Sequence, residues 1–136
     1  MKFPIAIEPG DDKHAFGVIV PDLPGCFSAG DTLDEAIDNA KEAIWLWLET
    51  AIDDGSAIPE SRTIGEHQSN PDFSGCIWAA VSIDLSELSD KAERINITLP
   101  ARVLRRIDAA AKAAGESRSG FIARRTLQED LHVKRN

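Results

Sequence analysis

Arg94, Asn96 and Thr98 alternate with Ile95, Ile97 and Leu99 immediately before Pro100. A period of two sets the polar trio on one face of a strand and the apolar trio on the other. Guanidinium, carboxamide and hydroxyl groups carried on a two-stranded ribbon can reach base edges in the major groove of B-DNA. Arg94 is the candidate guanine reader, Asn96 the candidate adenine reader, and Thr98 a contact to a base or a methyl group. Further on, Ser117, Arg118 and Ser119 open a helical pattern. A helix start capped by Ser117 presents free backbone N–H groups suited to a DNA phosphate, and Arg118 adds positive charge at that point.

Other kinds of chemistry find little support. His14, His67 and His132 are scattered, none three or four residues from another histidine, so no metal site is assigned. Cys26 and Cys76 form no CxxC pair and read as reduced thiols in or near a core; a disulfide between them stays open. Two-metal nuclease chemistry needs clustered carboxylates around ions about 4 Å apart. Glu8 ends a strand while Asp22 and Asp31 fall in turns, so no catalytic residue is assigned. Pro9-Gly10 and Pro24-Gly25 are turns rather than phosphate loops, and no cofactor is implied.

Charge divides the chain near residue 93. Residues 1–93 hold 19 Asp and Glu against 5 Lys and Arg, a net −14; residues 94–136 hold 4 against 10, a net +6. The acidic part repels phosphate and suits a basic protein, or serves only to keep the chain in solution; the basic part suits nucleic acid. About 43 residues are few for independent folding, so the rear portion is expected to need a second copy. The apolar stretches are too short and interrupted to span a bilayer, and no leader opens the chain, which points to the cytoplasm.

The elements that must position these residues follow from pattern. The front reads β-β-β-α-β: strands at Phe3–Glu8, Ala15–Val20 and Cys26–Ala29, then a helix from Thr32 to Gly55, then a strand at Cys76–Leu85. Thr32 with Glu35 is a capping box, and Ile37, Ala40, Ile44 and Leu48 recur at helical spacing, widened by Trp45, Trp47 and Ile52. Of Trp45 and Trp47, two residues apart, one is expected in the core and the other nearer the surface. Residues 56–75 read as a surface connection with room for one helical turn, and 86–93 as a polar linker. In the tail, a helix after Pro100 should bury Val103, Leu104, Ile107, Ala110, Ala111 and Ala114 before Gly115 stops it. A second helix, capped by Ser117, runs to about Leu131. The strand at 94–99 has no local partner and is expected to pair with its copy.

The order strand, strand, Pro21-Asp22-Leu23-Pro24-Gly25-Cys26-Phe27-Ser28-Ala29-Gly30-Asp31-Thr32-Leu33-Asp34-Glu35-Ala36, long helix resembles the HicB antitoxin family across essentially the whole chain. The resemblance implies an α+β chain. Residues 1–85 would be a partial RNase H-like toxin-binding domain, 86–93 a linker, and 94–136 a ribbon-helix-helix domain that dimerises and binds operator double-stranded DNA. It also implies a partner, HicA, a small basic toxin with a double-stranded-RNA-binding-like fold that cleaves mRNA using a histidine. The expected function is therefore a non-enzymatic antitoxin that neutralises HicA and represses its own operon as a homodimer, with a tetramer left open. The alternative is a stand-alone repressor whose front domain senses a ligand or oligomerises. Toxin-contact residues carry no motif and are not assigned.

Overall fold

The computed structural model describes residues 1–87 and 94–129. Most of the linker read at 86–93, Leu131 and His132 lie outside the described residues, and the second tail helix, read to about Leu131, ends within them at Gln128. The chain divides into two compact units, one spanning Lys2–Ile83 and one beginning at Asp84.

The first unit is a four-stranded antiparallel sheet with one long helix across it, an α+β arrangement. Strands β1 (Lys2–Glu8), β2 (Phe16–Ile19), β3 (Phe27–Gly30) and β4 (Ile77–Ser82) lie in the order β3-β2-β1-β4. Five consecutive β1 residues, Phe3 to Ile7, are buried, so neither face of the sheet centre is left to water. Helix α1 (Leu33–Asp53) packs on β3, β2 and β4 through Ala36, Ala40, Ile44, Leu48 and Ala51. Those positions recur every three to four residues and leave the acidic side of α1 in solvent. The Thr32 hydroxyl accepts the Glu35 N–H at 3.1 Å, closing the helix start as the capping pattern requires.

The structure departs from the sequence reading at several points. Strand β4 ends at Ser82, opposite Lys2, the first residue of β1. Ile83 and Leu85 continue the apolar alternation and are buried, but off the ladder, and Leu85–Glu87 forms a 3-10 turn. Trp45 and Trp47 are both half-buried on either flank of the α1 stripe, so neither is the core residue expected. Residues 56–75 hold more structure than one turn: a short helix α2 (Ile64–Gln68), a 3-10 helix at Pro71–Phe73, and a buried Ile58.

The second unit contains helices α3 (Ala101–Ala113) and α4 (Arg118–Gln128), packed on each other, with Leu85–Glu87 against α4. Gly115 stands at φ +68°, the left-handed position that ends a helix with least strain in glycine. Of the six apolar residues expected to be buried on α3, only Ala111 is; Val103 is exposed and Leu104 and Ile107 are half-exposed. The described residues of one chain leave that face uncovered. No helix among the described residues is long and apolar enough to cross a membrane.

Candidate functional site

The predicted base readers Arg94, Asn96 and Thr98 all stand in solvent. Within one chain, residues 94–99 form no strand and make no hydrogen bond among the described residues. Ile95 and Ile97 are 73% and 65% exposed rather than folded down on the helices. A ladder needs a second strand, and among the described residues none lies beside this segment. Two large apolar side chains in water next to three polar ones leave the segment with a face still to be covered.

At the start of α4, the Ser117 hydroxyl accepts the Gly120 N–H at 3.0 Å. The N–H groups of Arg118 and Ser119 point from the first turn without a hydrogen bond among the described residues. Gly120 is buried, and a Cβ there would stand 2.8 Å from the Asp84 carboxylate, so the glycine lets the turn approach that residue closely. The Arg118 guanidinium is engaged within the chain: Nε and Nη2 donate to the two Asp108 carboxylate oxygens at 2.7 and 2.9 Å. That fork, with the added attraction of the cation, holds the Asp108 carboxyl below the usual carboxylate range. The ion pair therefore persists at neutral pH and is lost only as pH falls below that lowered value. Both partners are well exposed, so the pair competes for Arg118 more than it stabilises the fold. Arg124 is similarly held by Glu116 at 2.8 Å and lies over the Phe121 ring. Arg94, Arg102, Arg105, Arg106 and Arg125 remain exposed and form no ion pair among the described residues.

In the first unit, the Pro21–Gly30 segment is pinned from three directions. Cys26 N–H donates to Leu23 O at 3.0 Å, with Pro24 second and Gly25 third in the turn. Gly25 has φ +79°, as the third position of a type II turn demands. Trp47 Nε1 donates to Pro24 O at 2.9 Å, and Asn39 Nδ2 to Ala29 O at 2.8 Å, so α1 holds both the turn and the edge strand. Asp22, read in the sequence only as a turn residue, is the third anchor. Its carboxylate accepts the Arg62 N–H at 3.1 Å and meets His67 Nε2 at 3.0 Å. The imidazole lies nearly parallel to Trp78, with ring centres 6.2 Å apart, and Phe73 meets Trp78 edge-on at 5.6 Å. This cluster clamps the 56–75 connection onto the sheet.

Removing the clamp has a definite cost. Asp22→Ala is expected to lower stability by about 2 kcal/mol, because the Arg62 N–H and His67 lose their acceptor in a mostly buried place. A melting curve shifted by less than the experimental scatter would show that water replaces the carboxylate freely.

Cys26 and Cys76 are free, and burial raises both thiols, with the Glu8 charge adding to the effect at Cys76. Such thiols stay protonated at neutral pH and are poor nucleophiles. Among the described residues, no three His, Cys, Asp or Glu side chains gather to hold a metal ion.

Residues 3–126 match the family described as HicB-like antitoxin of bacterial toxin-antitoxin systems. The chain is 45% identical over 125 residues to an uncharacterized 14.9 kDa protein from the rep-hol intergenic region of Haemophilus phage HP1, covering 90% of this chain and 92% of that one. It is also similar to the crystal structure of the Burkholderia pseudomallei antitoxin HicB, at 46% identity and a TM-score of 0.77, covering 94% of this chain and 97% of that chain. A chain of a solved HicA3 and HicB3 toxin-antitoxin complex matches at 30% identity and a TM-score of 0.53, over 62% of this chain and 99% of its own length.

Proposed function

This chain belongs to the HicB-like antitoxin family of bacterial toxin-antitoxin systems, and from that premise we propose that it neutralises a HicA-type toxin and represses its own operon. The front domain, residues 1–85, a truncated RNase H-like unit used without catalysis, binds the toxin. The tail, residues 94–136, binds operator DNA as a ribbon-helix-helix homodimer. The observation that carries the toxin partner is likeness to a chain of the HicA3 and HicB3 complex, joined to the net −14 of residues 1–93. An acidic domain steers a basic partner and masks the surface with which that partner would meet RNA. Co-expression with a small basic HicA-type toxin, followed by a pull on either protein and a native mass, tests the pairing. A stable complex is expected; two proteins that separate at every step would remove the antitoxin role.

For DNA, the support is the alternating 94–99 segment, with the N–H groups at the start of α4 and five exposed arginines that have no partner among the described residues. Asn96→Ala is expected to cost about 1–3 kcal/mol on the operator and to relax sequence preference. Equal affinity in a shift assay would remove Asn96 from base reading. Arg118 behaves differently because Asp108 already holds it. Asp108→Ala is expected to release the guanidinium, raising affinity for all sequences and steepening the salt dependence by about one phosphate contact. Arg118→Ala should do the reverse. If neither variant moves binding to random DNA, the phosphate belongs to other groups.

A further inference from the structure

The first unit carries an open groove of about 490 Å³ between the Pro24–Phe27 turn and one flank of α1. Its apolar lining comes from Phe27, Ala43, Leu46, Trp47 and Ala51. Phe27 and Leu46 are 65% and 66% exposed, and only Ile77 joins them as an exposed large hydrophobic among the described residues of this unit. Two large side chains left in water on the same groove need a reason beyond folding, since neither supports the core.

The groove has a charged rim on one side. Glu35, Glu42 and Glu49 recur every seven residues on α1, with Asp38 and Asp53 beside them, and all five are exposed. Glu42 and Glu49 lie four residues before and three after Leu46, so both are its surface neighbours. Lys41 is the only basic residue of the helix, and Asp54 lines the groove itself.

We propose that this groove is the docking surface for a basic protein that inserts an apolar side chain between Phe27 and Leu46 while its lysines or arginines meet the Glu42–Glu49–Asp53 stripe. The inference rests on the antitoxin reading above and assigns that partner its place on the chain. A second copy of this chain fits less well. In a two-fold pairing the same patch meets itself, so the acidic stripes would face each other. A partner with the opposite charge relieves that repulsion and gains from covering the two apolar side chains. Trp47 is held by Pro24 and forms a rigid wall, which lowers the ordering cost of binding.

The test uses the full chain and a HicA-type toxin, catalytically inactivated so that it can be purified. Leu46→Ala and Phe27→Ala are each expected to weaken the complex at least about tenfold with unchanged melting, as truncating a central anchor does. The double variant Glu42→Lys, Glu49→Lys should slow association and flatten its salt dependence. Variants that bind as tightly as the unaltered chain would overturn the groove while leaving the antitoxin reading intact. An unaltered chain that fails to bind would overturn that reading, and the groove assignment with it. If the substitutions instead change only the mass of the chain by itself, the groove joins two copies and the proposal is wrong.

Discussion

A Gly30→Ala variant is expected to lose most of the stability of the first unit. The added Cβ would stand 2.4 Å from the Ala36 backbone nitrogen, 2.7 Å from its Cα and 2.8 Å from the Glu35 carbonyl carbon. None of these atoms belongs to a side chain that could swing away. They form the first turn of α1, which is held by the Thr32 cap and by Asn39 reaching back to Ala29. Gly30 in turn pairs with Phe16 at the end of a four-residue edge strand. Relief therefore requires α1 to lift from β3, the strand on which it packs most closely, or β3 to leave the sheet. Overpacking against fixed backbone costs about 3 kcal/mol or more, a large share of the total for a domain this small. Urea unfolding should show an early transition for the variant, and toxin binding should fall with it. A midpoint equal to that of the unaltered chain would mean that β3 and α1 are not held as described.

The second large effect is expected in the tail. Ile97→Asp places a carboxylate on the face that the dimer proposal buries, opposite its own copy across the ribbon. In one chain, Ile95 and Ile97 stand in water, and Val103, Leu104, Ile107, Phe121 and Ile122 are only partly covered. A unit of this size with so few buried side chains would, under that proposal, complete its core with the second copy. Two charges brought together in that core would not pair and could not be hydrated. The variant is expected to sediment as a monomer and to lose operator affinity by at least about a hundredfold, since half-site recognition depends on two coupled tails. Because residue 97 lies outside the first unit, toxin binding by each chain should persist. A dimeric variant that still binds the operator would remove the ribbon from the assembly.

Much of this organisation was legible because it is written in short-range chemistry. Thr32 with Glu35, Gly115 and Ser117 mark helix ends by hydrogen bonds and backbone angles that need no distant residue. The α1 stripe through Ala40, Ile44 and Leu48 follows from the period alone. Long-range partners were not legible. Asp22 and His67 are 45 residues apart in sequence, and nothing local marks either as half of a pair. The Arg118–Asp108 fork crosses between two helices, so a residue read as a free phosphate contact is occupied. The apolar alternation through Ile83 and Leu85 imitated a longer strand, since period two records burial and not pairing. The groove at Phe27 and Leu46 escaped notice because an exposed apolar residue looks, in sequence, like any core residue. Its acidic rim was visible only as net charge.

The central claim, that this chain disarms an RNA-cleaving partner, is tested most directly by titration. A purified HicA-type toxin would be incubated with an RNA substrate and increasing amounts of the full chain. The account predicts that cleavage falls in proportion to added chain and stops at a fixed stoichiometric ratio, with the Leu46→Ala variant shifted to higher amounts. Cleavage that continues undiminished with the chain in large excess would contradict it.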